Sequence, residues 1–210
     1  MNLDKWKTHY NELGIDPSRI CRDGIFNDGE WKNANEKILF IMKEVNNWPD
    51  GDLKTLFEDG PKYQMWHTIS RWAGGILNNF PKFEEIDKES AIKENIKKIA
   101  SINLKKTSGG ASSNMSIINA YAHMDKELLL EQIEEIKPKI IVACGTFDSV
   151  IWLLDLKINP DKFYDERDDK FYKCPVLEKT REILVIPWIH PGRVNNRETY
   201  NELKKIFAKK

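Results

Sequence analysis

The chain has 210 residues, 40% hydrophobic and 31% charged, with 33 basic and 33 acidic side chains. That size carries one domain with a real core, and the composition is that of a soluble globular protein. The balanced charge excludes a global field that would announce a polyanion partner, though it leaves a local basic face open. No apolar run approaches the ~20 residues of a membrane span, and Met-Asn-Leu-Asp-Lys-Trp at the N-terminus lacks a signal-peptide core.

In chain order, Leu3, Trp6, Tyr10 and Leu13 recur at helical spacing before Gly14. This predicts a helix laid on the core as part of an N-terminal extension, residues 1–35, of a single domain spanning 1–210. Asp16 to Asn35 is turn-rich, with Asp-Gly at 23–24 and 28–29. The first strand is expected over about 37–42, where Ile38 to Met42 are five consecutive apolar residues. Such a short continuous run reads as a strand buried on both faces. Residues 43–61 form a long loop with turn signals at Pro49-Asp50-Gly51 and Asp59-Gly60-Pro61. A helix is expected from about Tyr63 to Leu77, and a charged one over 84–95. The second strand is expected over about Ile96 to Leu104, followed by the small-residue, basic loop Lys105 to Asn114. Further along come a helix over about 115–136, a strand at Lys139 to Gly145 and a helix from Phe147 to Leu156. Residues 157–181 show no firm element. A fourth strand follows at Glu182 to Trp188, then Ile189-His190-Pro191-Gly192-Arg193 and a last amphipathic helix over 197–208.

Four hydrophobic strands alternating with helices predict an α/β fold: three layers, with a central four-stranded parallel sheet between helices. Right-handed crossovers put all four strand exits on one edge, where open α/β sheets bind ligands. Glu44, Asn46, Asn103, the Gly145 turn and His190 therefore converge. The plain alternative for the first exit is a buried strand ending in an ordinary solvated loop. Cys21, Cys144 and Cys174 give no CxxC pair, no disulfide framework and no four-thiolate set. His9, His67 and His123 have no metal-ligand spacing. We expect no metal and no cofactor, and a cytoplasmic monomer.

The strand exits resemble those of the uracil-DNA glycosylase superfamily over about residues 37–192. Residues 42–47 can carry that family's first motif, with its acid on Glu44. Ser-Ile-Asn-Leu-Lys-Lys places its base-reading Asn on Asn103. Lys137 to Gly145 is similar to the third-strand signature of smaller bacterial members, and His190-Pro191-Gly192 to its last motif. The chain departs in lacking the first motif's Gly and Pro, in carrying Gly192 where Ser is usual, and in lacking iron–sulfur cysteines.

The resemblance implies a uracil-DNA glycosylase-like fold and hydrolysis of the N-glycosidic bond of uracil or another altered base in DNA, single- or double-stranded. Glu44 would stabilise a cationic sugar and orient water, and His190 would donate to the carbonyl oxygen of the departing base. Asn103, helped by Asn46, would read the base edge. Tyr63, Trp66 or Trp48 would stack on a flipped base. Lys105, Lys106, Ser108, Gly192 and Arg193 would hold phosphates, with Arg197 nearby. Each residue has an ordinary alternative. Glu44 could pair with a surface cation, and His190 could cap a strand. Asn103 could hold loop backbone, the aromatics could be core, and the lysines could be solvated. Two further readings stand beside excision: a family member that binds a base, nucleotide or nucleic acid without cleaving it, and an enzyme acting on another N-glycosidic or nucleotide substrate.

Overall fold

A computed structural model describes residues 1–48, 50–156, 172–175 and 182–208, the segment 172–175 by its backbone alone. Its centre is the strand Ile38–Met42, called β2 because a short strand, β1 (Gly24–Ile25), precedes it. All five residues of β2 are buried. They alternate between two cores, as strand geometry requires. Ile38, Phe40 and Met42 face one core, and Leu39 and Ile41 face the other.

Three strands run parallel with β2: β3 (Ala100–Asn103) on one side, then β4 (Ile140–Cys144) and β6 (Glu182–Trp188) on the other. The four-stranded parallel centre read from the sequence is therefore present. Two short antiparallel strands extend it. β1 pairs with β3, and β5 (Tyr172–Pro175) pairs with β6, giving the order β1-β3-β2-β4-β6-β5. The protein is an α/β fold with a mixed, mostly parallel sheet flanked by helices. Apart from β5, the stretch 157–181 lies outside the described residues.

Helices cover both faces. The core holding Phe40 takes Trp66, Ile69 and Trp72 of α3 (Gln64–Leu77) and Tyr200, Leu203 and Ile206 of α9 (Asn196–Ala208). The core holding Leu39 takes Trp6 and Tyr10 of α1 (Leu3–Glu12), with apolar residues of α6 (Met115–Met124), α7 (Lys126–Ile136) and α8 (Phe147–Leu153). No described helix is long and apolar enough to cross a membrane.

Several boundaries differ from the sequence reading. The turn-rich stretch contains α2 (Asp28–Asn33), capped by the Asn27 side chain, which accepts from Glu30 N at 3.0 Å. The charged helix divides into α4 (Phe83–Ile86) and α5 (Glu89–Asn95). The second strand is shorter than its apolar run, because Ile96–Lys98 close a 3-10 turn instead. The long helix expected over 115–136 breaks at Asp125. That carboxylate is fully buried, accepts from Tyr10 Oη at 2.8 Å and lies 3.0 Å from His9 Nε2. Burial raises the Asp125 carboxyl pKa above its ordinary value, and the Tyr10 and His9 partners counter this.

The 1–35 segment is more than an extension. Cys21 N donates to Lys106 O at 2.8 Å, and Phe26 N to Ile99 O at 3.1 Å, so residues 21–26 form a sheet edge. Within it the Asp23 carboxylate accepts from Lys106 Nζ at 2.8 and 3.0 Å and from Gln132 Nε2 at 2.9 Å. Both charged side chains are 0% exposed. Removing one partner of such a pair leaves an uncompensated buried charge. Lys106→Met should therefore lose about 3–5 kcal/mol in chemical denaturation. The neutral double variant Asp23→Asn/Lys106→Met should recover most of that loss.

Candidate functional site

The first two strand exits continue beyond the sheet as a laced pair. Leu104 N donates to Met42 O and Lys105 N to Lys43 O, each at 3.0 Å, and Gly109 N donates to Val45 O at 2.8 Å. Asn47 N returns a bond to Gly109 O at 2.9 Å. Between this pair, the start of α3 and the loop after β6 lies a cleft of about 550 Å³. It brings together Glu44, Asn46, Trp48, Tyr63, Trp66, Asn103 and His190. Those seven come from the loop after β2, the start of α3, the end of β3 and the loop after β6, segments far apart in sequence that the parallel sheet brings together.

Glu44 is withdrawn from bulk water, its side chain 7% exposed. Lys105 Nζ meets its carboxylate at 2.5 Å and also donates to Thr107 O at 3.0 Å and Ser108 O at 3.2 Å. The pair is charge-assisted and nearly dry. Gly109 makes it possible. A Cβ there would fall 2.1–2.3 Å from the Glu44 carboxyl atoms.

Asn103 is buried, and Asp23 Oδ2 accepts from both its backbone N (2.7 Å) and its Nδ2 (3.3 Å). The amide nitrogen therefore faces Asp23. The amide oxygen makes no hydrogen bond among the described residues, and the side chain lines the cleft.

His190 accepts from Gly192 N at Nδ1, at 3.1 Å. A nitrogen that accepts carries a lone pair, so the neutral ring holds its proton on Nε2. Desolvation, and next the ammonium of Lys43, push its pKa below the ordinary 6.5. Lys43 packs on the other side of this corner: a Cβ on Gly145 would lie 3.6 Å from Lys43 Nζ and 3.5 Å from His190 Cβ.

The three aromatic candidates differ. Trp66 is 4% exposed and packs edge-to-face on Phe26 and Phe57, so it is chiefly a core residue that borders the cleft. Trp48 is half-buried, with Gly51 against its ring: a Cβ there would fall 2.5 Å from ring carbons. Tyr63 is 61% exposed and offers the open face.

The expected phosphate contacts are corrected by burial. Lys106 is fully buried against Asp23, with its Nζ also 5.1 Å from the centre of the Trp6 ring, so it cannot reach a phosphate. Lys105 spends its donors on Glu44 and two carbonyls, and Ser108 is buried. Gly192 uses its N–H on His190. Arg193 is exposed and outside the cleft wall, with a left-handed φ of 60°. Arg197 pairs with Glu84 at 2.7 Å. Asp23, Lys43 and Gly109 were not legible as site residues. Asp23 and Gly109 sit in dipeptides that signal turns, and Lys43 reads as a charge beside a charge.

The chain matches no protein-family model and no curated protein.

Two outcomes test this geometry. His190 should titrate below 6.5 in a 15N-detected pH series and show the Nε2–H tautomer above that midpoint. A ring buried neutral must charge on unfolding in acid, so its contribution to stability is present above 6.5 and is lost as pH falls below it toward the lower folded value. A midpoint at or above 6.5 contradicts the assignment. Gly109→Ala should separate Glu44 from Lys105, read as loss of the exchange-protected Lys105 ammonium signal and of at least about 1 kcal/mol of stability.

Proposed function

We propose that this cleft accepts a base turned out of a DNA strand and hydrolyses its N-glycosidic bond. The observation that carries the reading is the His190 ring, held neutral by the Gly192 N–H and left with Nε2–H as its donor on the cleft wall. As the bond from sugar to base breaks, its electrons pass to the base and charge grows on a carbonyl oxygen. A neutral N–H donor suits that oxygen, and it acts most strongly where water is excluded. The Glu44 carboxylate, which also lines the cleft, would stabilise the cationic sugar and orient the water that attacks it. Asn103 would hold the base edge and Tyr63 would stack on the base. The order of Glu44, Asn103 and His190 along the chain, each at a strand exit, resembles that of the uracil-DNA glycosylase superfamily, which supports the same reading. The substrate on this account carries uracil or another altered base.

One observation favours binding without cleavage. Lys105 already neutralises Glu44, so less of its charge is available to a developing cation. The strand would be held mainly by the cleft and by Arg193, because the two lysines after β3 serve the interior.

The test is formation of abasic sites in single and double strands bearing uracil, a thymine mispair, hypoxanthine or another deaminated base. Wild-type protein should cleave at least one. His190→Ala should slow it by about 10²–10³-fold, and Glu44→Gln should abolish most of the remainder. Failure on every substrate overturns excision. Retained binding to the same strands would then support the second reading.

A further inference from the structure

We propose that Asp23, held by Lys106 and Gln132, is the positioning residue that sets which base edge the cleft accepts. The proposal rests on the reading of the cleft as a base site. It concerns selectivity rather than cleavage.

An Asn side chain normally presents either end of its amide, because a half-turn about its last torsion exchanges oxygen and nitrogen. At Asn103 that exchange is blocked. Asp23 Oδ2 accepts from both the backbone N and Nδ2 of Asn103. A half-turn would put the amide oxygen against a carboxylate oxygen, replacing an attraction with a repulsion in a site where both residues are buried. Asp23 cannot swing aside to permit it. Its other oxygen accepts from Lys106 Nζ at 2.8 Å and Gln132 Nε2 at 2.9 Å, and its side chain is 0% exposed. The amide therefore offers the cleft its oxygen as an acceptor. His190 lines the same cleft and is left with Nε2–H as its donor.

A ligand that satisfies both must carry a ring N–H beside a carbonyl. Uracil, thymine, hypoxanthine and xanthine have that lactam edge. Cytosine and adenine have an unprotonated ring nitrogen beside an amino group, so their donor and acceptor are exchanged. A buried polar group left unpaired costs more than a hydrogen bond gains, and this is the usual source of strong discrimination.

The test is equilibrium competition for binding between short single strands that differ at one base: uracil against cytosine, and hypoxanthine against adenine. It reads binding on strands whose 2′-fluoro sugar at the test base resists hydrolysis, so it stands whether or not excision occurs. Wild-type protein should prefer each lactam base by about tenfold or more. Asp23→Leu/Lys106→Met, which removes the acceptor that holds Asn103 and both buried charges together, should lower that preference toward equality while binding lactam strands no more tightly. A ratio is the needed readout, because a merely structural loss would weaken both strands alike. Equal wild-type affinities, no binding of any strand, or an unchanged ratio in the double variant would each overturn the proposal. If the double variant does not fold, a scalar coupling across the Asn103 Nδ2–H to Asp23 bond in labelled wild-type protein decides the geometry. Its absence, or rapid exchange of the two amide protons, would overturn the proposal as well.

Discussion

The buried ion pair of Asp23 and Lys106 is the constraint on which the site depends. Two charges with no solvent exposure are tolerable only if each finds its partner and its remaining hydrogen bonds. Asp23 finds them on β3 and its exit loop and on α7, through Asn103, Lys106 and Gln132. Lys106 adds the face of the Trp6 ring in α1. Residues from four parts of the chain must therefore meet at one point beneath the cleft. Such a pair contributes little net stability compared with a well-packed apolar substitute. What it supplies here is registry: the loop after β3 and the edge at 21–26 fit together in one way.

The next lysine along tells the same story toward the other side. Lys105 turns to Glu44 while Lys106 turns to Asp23, as neighbours in an extended segment do. Two consecutive cations thus become internal counter-ions for two acids, one on the cleft wall and one beneath it. Lys43, beside the cleft, adds to desolvation in lowering the pKa of His190 and so helps keep that ring neutral. Among the described residues, the site is built from paired charges and oriented dipoles, and the two lysines after β3 are not free to meet a phosphate.

Much of this arrangement was legible in the sequence. Ile38 to Met42, Ile140 to Cys144 and Ile183 to Trp188 are unbroken apolar runs, the pattern of strands buried on both faces. Once they are parallel strands, their exits must share an edge, and Glu44, Asn103 and His190 follow. Pairing partners of polar residues were not legible. Lys105-Lys106-Thr107-Ser108 has the composition of a solvated loop, and its burial rests on distant acids, Glu44 for Lys105 and Asp23 for Lys106. The two-residue β1 was hidden for a related reason: Asp23-Gly24 has the signal of a turn, and only the neighbouring β3 makes it a strand. The break at Asp125 was hidden because its side-chain partners, Tyr10 and His9, lie on another helix.

The central claim is that the cleft holds a base between the amide oxygen of Asn103 and the Nε2–H of His190. The most direct measurement is a crystal structure of Glu44→Gln protein with a short strand carrying one deoxyuridine. The account predicts the uracil inside the cleft, its ring N–H on Asn103 Oδ1 and a carbonyl on His190 Nε2, with Tyr63 over its face. A strand bound elsewhere on the surface, or a base in the cleft with Asn103 turned to present its nitrogen, would contradict it.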